Sequence, residues 1–162
     1  MSRKLAREIA FKVVFSNNFQ HEMNENNELE LENIHNIAEA LTGDTDFLND
    51  NENDELTSSS DSLSAEDRKY IEDVCVGVSK CTEELDEKIK TYLKGWTMDR
   101  IGKTDLAILR LAIYEILYRE DIPYKVSINE AVELAKTYCD DASPSFINGL
   151  LAALINSISN DH

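Results

Sequence analysis

A chain of 162 residues that is 42% hydrophobic and 30% charged is long enough to fold as one domain around its own core. It has no run of about 18 apolar residues, which excludes a membrane-spanning helix, and its N-terminal stretch lacks a small-residue cleavage site, which argues against a signal peptide. A net charge of −16 speaks against a nucleic-acid binder until its distribution is read.

That distribution is uneven. Residues 1–12 balance at +3, residues 13–67 hold fifteen acidic side chains and no Lys or Arg, and residues 68–162 balance at −4. The excess acid is therefore concentrated in one segment. Within it, GDTDFLNDNENDELTSSSDS at 43–62 has too few apolar residues to offset its ordering entropy, and it is expected to be a disordered acidic loop.

The first predicted element is a helix over about Ser2–Phe19. Leu5, Ala6, Ile9, Ala10, Phe11, Val13, Val14 and Phe15 surround most of its axis, so it should be well buried. Arg3, Lys4 and Arg7 share an arc of about 100° at its start. Cations there oppose the helix dipole, which an external phosphate would relieve, although a plain solvated terminus accounts for them too. Leu31, Ile34, Ala38 and Leu41 predict a short helix within 28–42.

Ser64 and Asp67 form a capping-box variant that opens a helix at Ala65, with Ile71, Val74, Cys75 and Val78 as its apolar stripe. A separate helix is expected over about Glu83–Leu93, with Gly95 and Trp96 marking a break. Residues 104–119, TDLAILRLAIYEILYR, leave little polar surface and predict the central, most buried helix.

Beyond Pro123, Ser127 and Glu130 predict a capping box for the helix SINEAVELAKTY. Ser143 then reads as an N-cap with Pro144 in the first helical position of PSFINGLLAALINSI. Gly149 lies inside that last helix, where glycine is costly, and a close helix contact is the expected reason.

Catalytic chemistry is not indicated. There is no phosphate-binding glycine loop and no nucleophile elbow. Glu130 and Glu133 share a helix face, but capping and the nearby Lys136 explain them more simply. Asp105 reads as a carboxylate at a helix start. Cys75, Cys81 and Cys139 show no CxxC spacing, and His21, His35 and His162 are scattered, so neither a disulfide framework, a metal site nor a cofactor is expected.

Three stretches of the C-terminal half, Asp105-x-Ala107-Ile108-Leu109-Arg110-x-Ala112-x-Tyr114-Glu115, the run Ile122 to Lys136, and Phe146-Ile147-Asn148-Gly149-Leu150-Leu151, resemble the NusB family of transcription antitermination factors. At the other end, Arg3-Lys4-x-Ala6-Arg7-Glu8-x-Ala10 is similar to the family's basic first helix. The likeness covers about residues 2–20 and 65–158.

It implies an all-α fold of about seven helices in two side-by-side bundles within a single domain. The subdomains would be residues 1–81, which include the acidic insert 43–62, and residues 82–162. It also implies a cytoplasmic, non-enzymatic RNA-binding adaptor in antitermination and ribosomal RNA synthesis. Its partners would be boxA-type single-stranded RNA, the ribosomal protein NusE and the transcription elongation complex, with a homodimer as a further option. By motif position, Arg3, Lys4, Arg7, Tyr92, Lys94, Phe146 and Asn148 would contact RNA, and Asp99 and Arg100 would contact NusE. The lean basic cluster and the acidic insert depart from the family pattern.

Two alternatives stand beside this reading. One is a protein–protein module that works as a homo-oligomer without RNA. The other is the NusB-like part of a ribosomal RNA methyltransferase, against which stands a chain ending at His162.

Overall fold

Apolar residues at three- and four-residue spacing produce helices throughout the parts of the chain that the computed structural model describes, residues 3–21, 64–93 and 97–160. These parts form α1 (Arg3–His21), α2 (Ala65–Thr91), a 3-10 turn (Met98–Arg100), α3 (Lys103–Tyr118), α4 (Tyr124–Tyr138) and α5 (Ser143–Asn160). Among the described residues there is no strand, so the fold is all-α. The short helix expected within 28–42, the acidic insert 43–62 and the break at Gly95 and Trp96 lie outside the described residues. No described helix is long and apolar enough to cross a membrane.

The two helices expected over 65–93 are one helix of 27 residues. Neither proline nor a turn signal separates Lys80 from Glu83. Ile71, Val74, Val78, Leu85 and Ile89, all buried, continue a single 3.6-residue stripe across the expected gap. The start of α2 is the capping box read from the sequence. The Asp67 amide donates to Ser64 Oγ at 3.1 Å, and the Ser64 amide donates to Asp67 Oδ2 at 3.4 Å. Two orphan donors are thereby satisfied at the helix end.

The chain divides into two compact units, Met1–Ser79 and Lys80–His162. In the first, Ala6, Ile9, Ala10, Val13 and Val14 of α1 and Tyr70, Ile71, Val74 and Cys75 of α2 are buried. The Cys75 thiol donates to the Ala10 carbonyl at 3.8 Å. Burial pushes that thiol's pKa up, which leaves it protonated and inert.

In the second unit, α3, α4 and α5 pack against one another. The middle of α3 is deeply buried: Ala107, Ile108, Leu109, Leu111, Ala112 and Ile113 are at most 2% exposed. This fits the expectation of a central helix over 104–119, and each large aliphatic side chain so removed from water contributes about 1.5–3 kcal/mol. The α2 residues of this unit are tied to α3 by a forked ion pair, in which Arg110 Nε and Nη2 donate to Asp86 Oδ1 and Oδ2, both at 2.8 Å. The Tyr118 hydroxyl donates to Glu84 Oε2 at 2.5 Å. That bond to a carboxylate raises the phenol's pKa, because ionisation would set two anions side by side.

Three local expectations need correction. The helix α4 begins at Tyr124, with Pro123 as its N-cap at φ −60° and ψ 143°. Ser127 is therefore already inside the helix and fully buried, and its hydroxyl has no hydrogen-bond partner, so the Ser127–Glu130 capping box does not form. Ser143 is itself the first residue of α5, and its hydroxyl donates to Asp105 Oδ2 at 2.9 Å instead of capping the helix. Gly149 is exposed, with nothing within 4 Å of where a Cβ would stand, so no close helix contact explains it.

Candidate functional site

A protein that holds single-stranded RNA needs cations placed for phosphates and exposed aromatic or amide groups placed for bases. The basic residues of α1 lie in the first unit. Lys4 is exposed at the start of the helix. Arg3 is the first residue of α1, and its side chain lies outside the described set. Arg7 departs from the expectation that it faces phosphate: it is 3% exposed, with its guanidinium carbon 5.6 Å from the centre of the Tyr70 ring. Leu5, Ala6, Ile9 and Ala10 surround the helix so fully that the residue one turn beyond Arg3 turns inward, and its charge rests on an aromatic face of α2.

The remaining candidates lie in the second unit. Phe146 is half-buried and Asn148 exposed, both on α5. The Phe146 amide donates to the Ala142 carbonyl at 3.3 Å, which fixes the aromatic in the first turn of the helix. Tyr92 is half-buried in the turn after α2, where its amide donates to the Ile89 carbonyl at 3.1 Å. Lys94 lies outside the described residues.

Asp99 and Arg100 are both exposed on the 3-10 turn. The Arg100 amide donates to the Thr97 carbonyl at 3.0 Å, so a local hydrogen bond, not packing, presents these two charges. Glu133 and Lys136 form an exposed pair at 3.2 Å. Such a pair on a solvated face contributes at most about 1 kcal/mol and needs no chemical role.

Two features of this unit were missed by the sequence reading. Asp105 is more than a carboxylate at a helix start, since it joins α3 to α5 through Ser143. It also bonds the Cys139 thiol, whose pKa burial and this acid together push up to about 12. Such a link between positions 38 residues apart has no local signature. The second feature was visible in the sequence: α5 contains no charged side chain over its 18 residues. Among the described residues, no cluster of His, Cys, Asp or Glu is arranged to hold a metal ion.

Comparison with known proteins places this arrangement among relatives. Residues 4–156 match the model of the NusB family. The chain is 44% identical over 155 residues to the transcription antitermination protein NusB of Acetivibrio thermocellus, a match that spans 96% of this chain and 89% of the relative. Among solved structures, T. maritima NusB is 25% identical with a TM-score of 0.70, over 94% of this chain and 89% of that one. A chain in the crystal structure of antitermination factors NusB and NusE in complex with dsRNA is 21% identical with a TM-score of 0.72, over 96% of each chain. This last likeness is one of fold.

Proposed function

The chain belongs to the NusB family, and from that premise we propose that it binds boxA-type single-stranded RNA together with the ribosomal protein NusE. In this role it is a non-enzymatic adaptor in the cytoplasm, linking nascent ribosomal RNA to the transcription elongation complex. The observation that carries the reading is the family match over residues 4–156. A fold neighbour crystallised with NusE and dsRNA supports the choice of partners.

The chemistry asked of the chain is recognition. Arg3 and Lys4 supply cations for phosphates at the start of α1. Phe146 offers part of a ring face to a base, and Asn148 offers an exposed amide that can both donate and accept. Tyr92 and Lys94 are further candidate RNA contacts by motif position. Arg7 supports the basic start of α1 from within the first unit, by holding α1 over Tyr70. Asp99 and Arg100 form part of the NusE contact, since an exposed pair of opposite charges sets register with a partner more than it adds affinity.

Calorimetry with the cognate NusE tests the reading. A one-to-one complex is expected, weakened by the double substitution Asp99→Ala, Arg100→Ala. Absence of any heat of binding at micromolar concentrations removes the adaptor role.

A further inference from the structure

Gly149 stands inside α5, exposed, and no heavy atom lies within 4 Å of the position its Cβ would take. Its backbone is not in the left-handed region that favours glycine. Alanine would therefore fit without strain and would favour the helix, because glycine loses more backbone freedom on folding. Gly102 also meets open space, but it is the N-cap of α3 at φ −60° and ψ 148°, a position where glycine is commonly found. Gly149 has no such internal reason.

The surface around it narrows the explanation. At 100° per residue, Ser145, Phe146, Ala152, Ala153 and Asn156 lie within about 60° of Gly149 on the helix. Ser145 and Asn156 are exposed, and Phe146 is half-buried. No charge lies anywhere on α5, although 30% of the chain is charged. A phosphate placed here would find no cation on this helix. A base is neutral and flat and a ribose is neutral, and each gains dispersion contacts only at close approach.

We infer that Gly149 is a positioning residue for RNA: its missing side chain lets a base or ribose of the bound strand lie directly on α5 beside Phe146. The inference rests on the RNA-binding reading above. The partner settles at a methyl's width closer to the helix than any other residue would permit. The stability that alanine would add to α5 is forgone for that approach.

Gly149→Ala and Gly149→Leu test this, with three measurements on each: thermal midpoint, affinity of the NusE complex for fluorescently labelled single-stranded boxA RNA, and affinity for NusE without RNA. Gly149→Ala raises the midpoint by roughly 2–4 °C and weakens RNA binding by about tenfold, the scale of one displaced stacking contact. Gly149→Leu weakens RNA binding further, and NusE affinity stays unchanged in both. A merely structural glycine would move stability and RNA binding in the same direction. Unchanged RNA affinity in both variants, with the wild type binding normally, overturns the inference and leaves the RNA-binding reading intact. Lost NusE affinity in place of lost RNA affinity assigns the surface to the protein partner and also overturns it. A wild-type complex that does not bind boxA RNA overturns the reading itself, and the inference with it.

Discussion

Arg7 and Lys4 sit one turn apart on the same helix and differ in almost everything but charge. Lys4 is solvated, whereas Arg7 is 3% exposed over the Tyr70 ring. A buried cation held on an aromatic face contributes about 1–2 kcal/mol, and its aliphatic stem packs as well. Arg7→Ala is therefore expected to lower the stability of the first unit by about that amount in urea denaturation, with any loss of RNA binding following from a displaced α1. Lys4→Ala should leave the unfolding midpoint unchanged and weaken RNA binding directly. Equal, unchanged stability in both variants would return Arg7 to the surface. The sequence could not separate the two residues, because their helical angles differ little and the choice depends on Tyr70, 63 positions along the chain from Arg7. Phe146 and Asn148 could be named as candidates from a contiguous motif, whereas the Asp105–Ser143 link joins distant segments and had no such signal.

Among the helices, one local pattern gives opposite outcomes. Ser64 and Asp67 form a capping box, whereas Ser127 and Glu130 do not. The difference lies upstream. Pro123, with φ already set near the helical value, starts α4 at Tyr124 and carries Ser127 into the helix interior, where its hydroxyl is buried without a partner. Ser64→Ala should then cost about 1 kcal/mol. Ser127→Ala should be neutral or slightly stabilising, since it removes a desolvated hydroxyl that gains nothing. Chemical denaturation of the two variants checks the contrast, and a large loss from Ser127→Ala would contradict the placement of α4. The central helix was legible because its burial is written into nearly every position of 104–119. The continuity of α2 was obscured at 79–82, where no large apolar residue marks the stripe in sequence; in the helix Lys80 is exposed, Cys81 and Thr82 are half-buried, and the buried stripe resumes at Leu85.

For the whole molecule, the question is how a chain of net charge −16 would take the polyanion proposed as its partner. Its excess acid is concentrated in residues 13–67, while the proposed RNA surfaces are the basic start of α1 and the uncharged α5. With few cations in play, binding by the chain alone should be weak, and NusE should raise the affinity by adding contacts and fixing the strand. With Arg7 turned inward, phosphate contacts from Arg3 and Lys4 alone are expected to give a salt slope of about −1.4 for a single strand, from about −0.7 per phosphate. The most direct test is the dissociation constant of labelled boxA RNA, and of a scrambled control, with and without NusE over a range of salt concentrations. An RNA-binding adaptor is expected to show clear preference for boxA over the control, tighter binding in the presence of NusE, and a slope shallower by about 1.4 in the Arg3→Ala, Lys4→Ala double variant. Equal affinity for boxA and scrambled RNA in the presence of NusE would contradict that role.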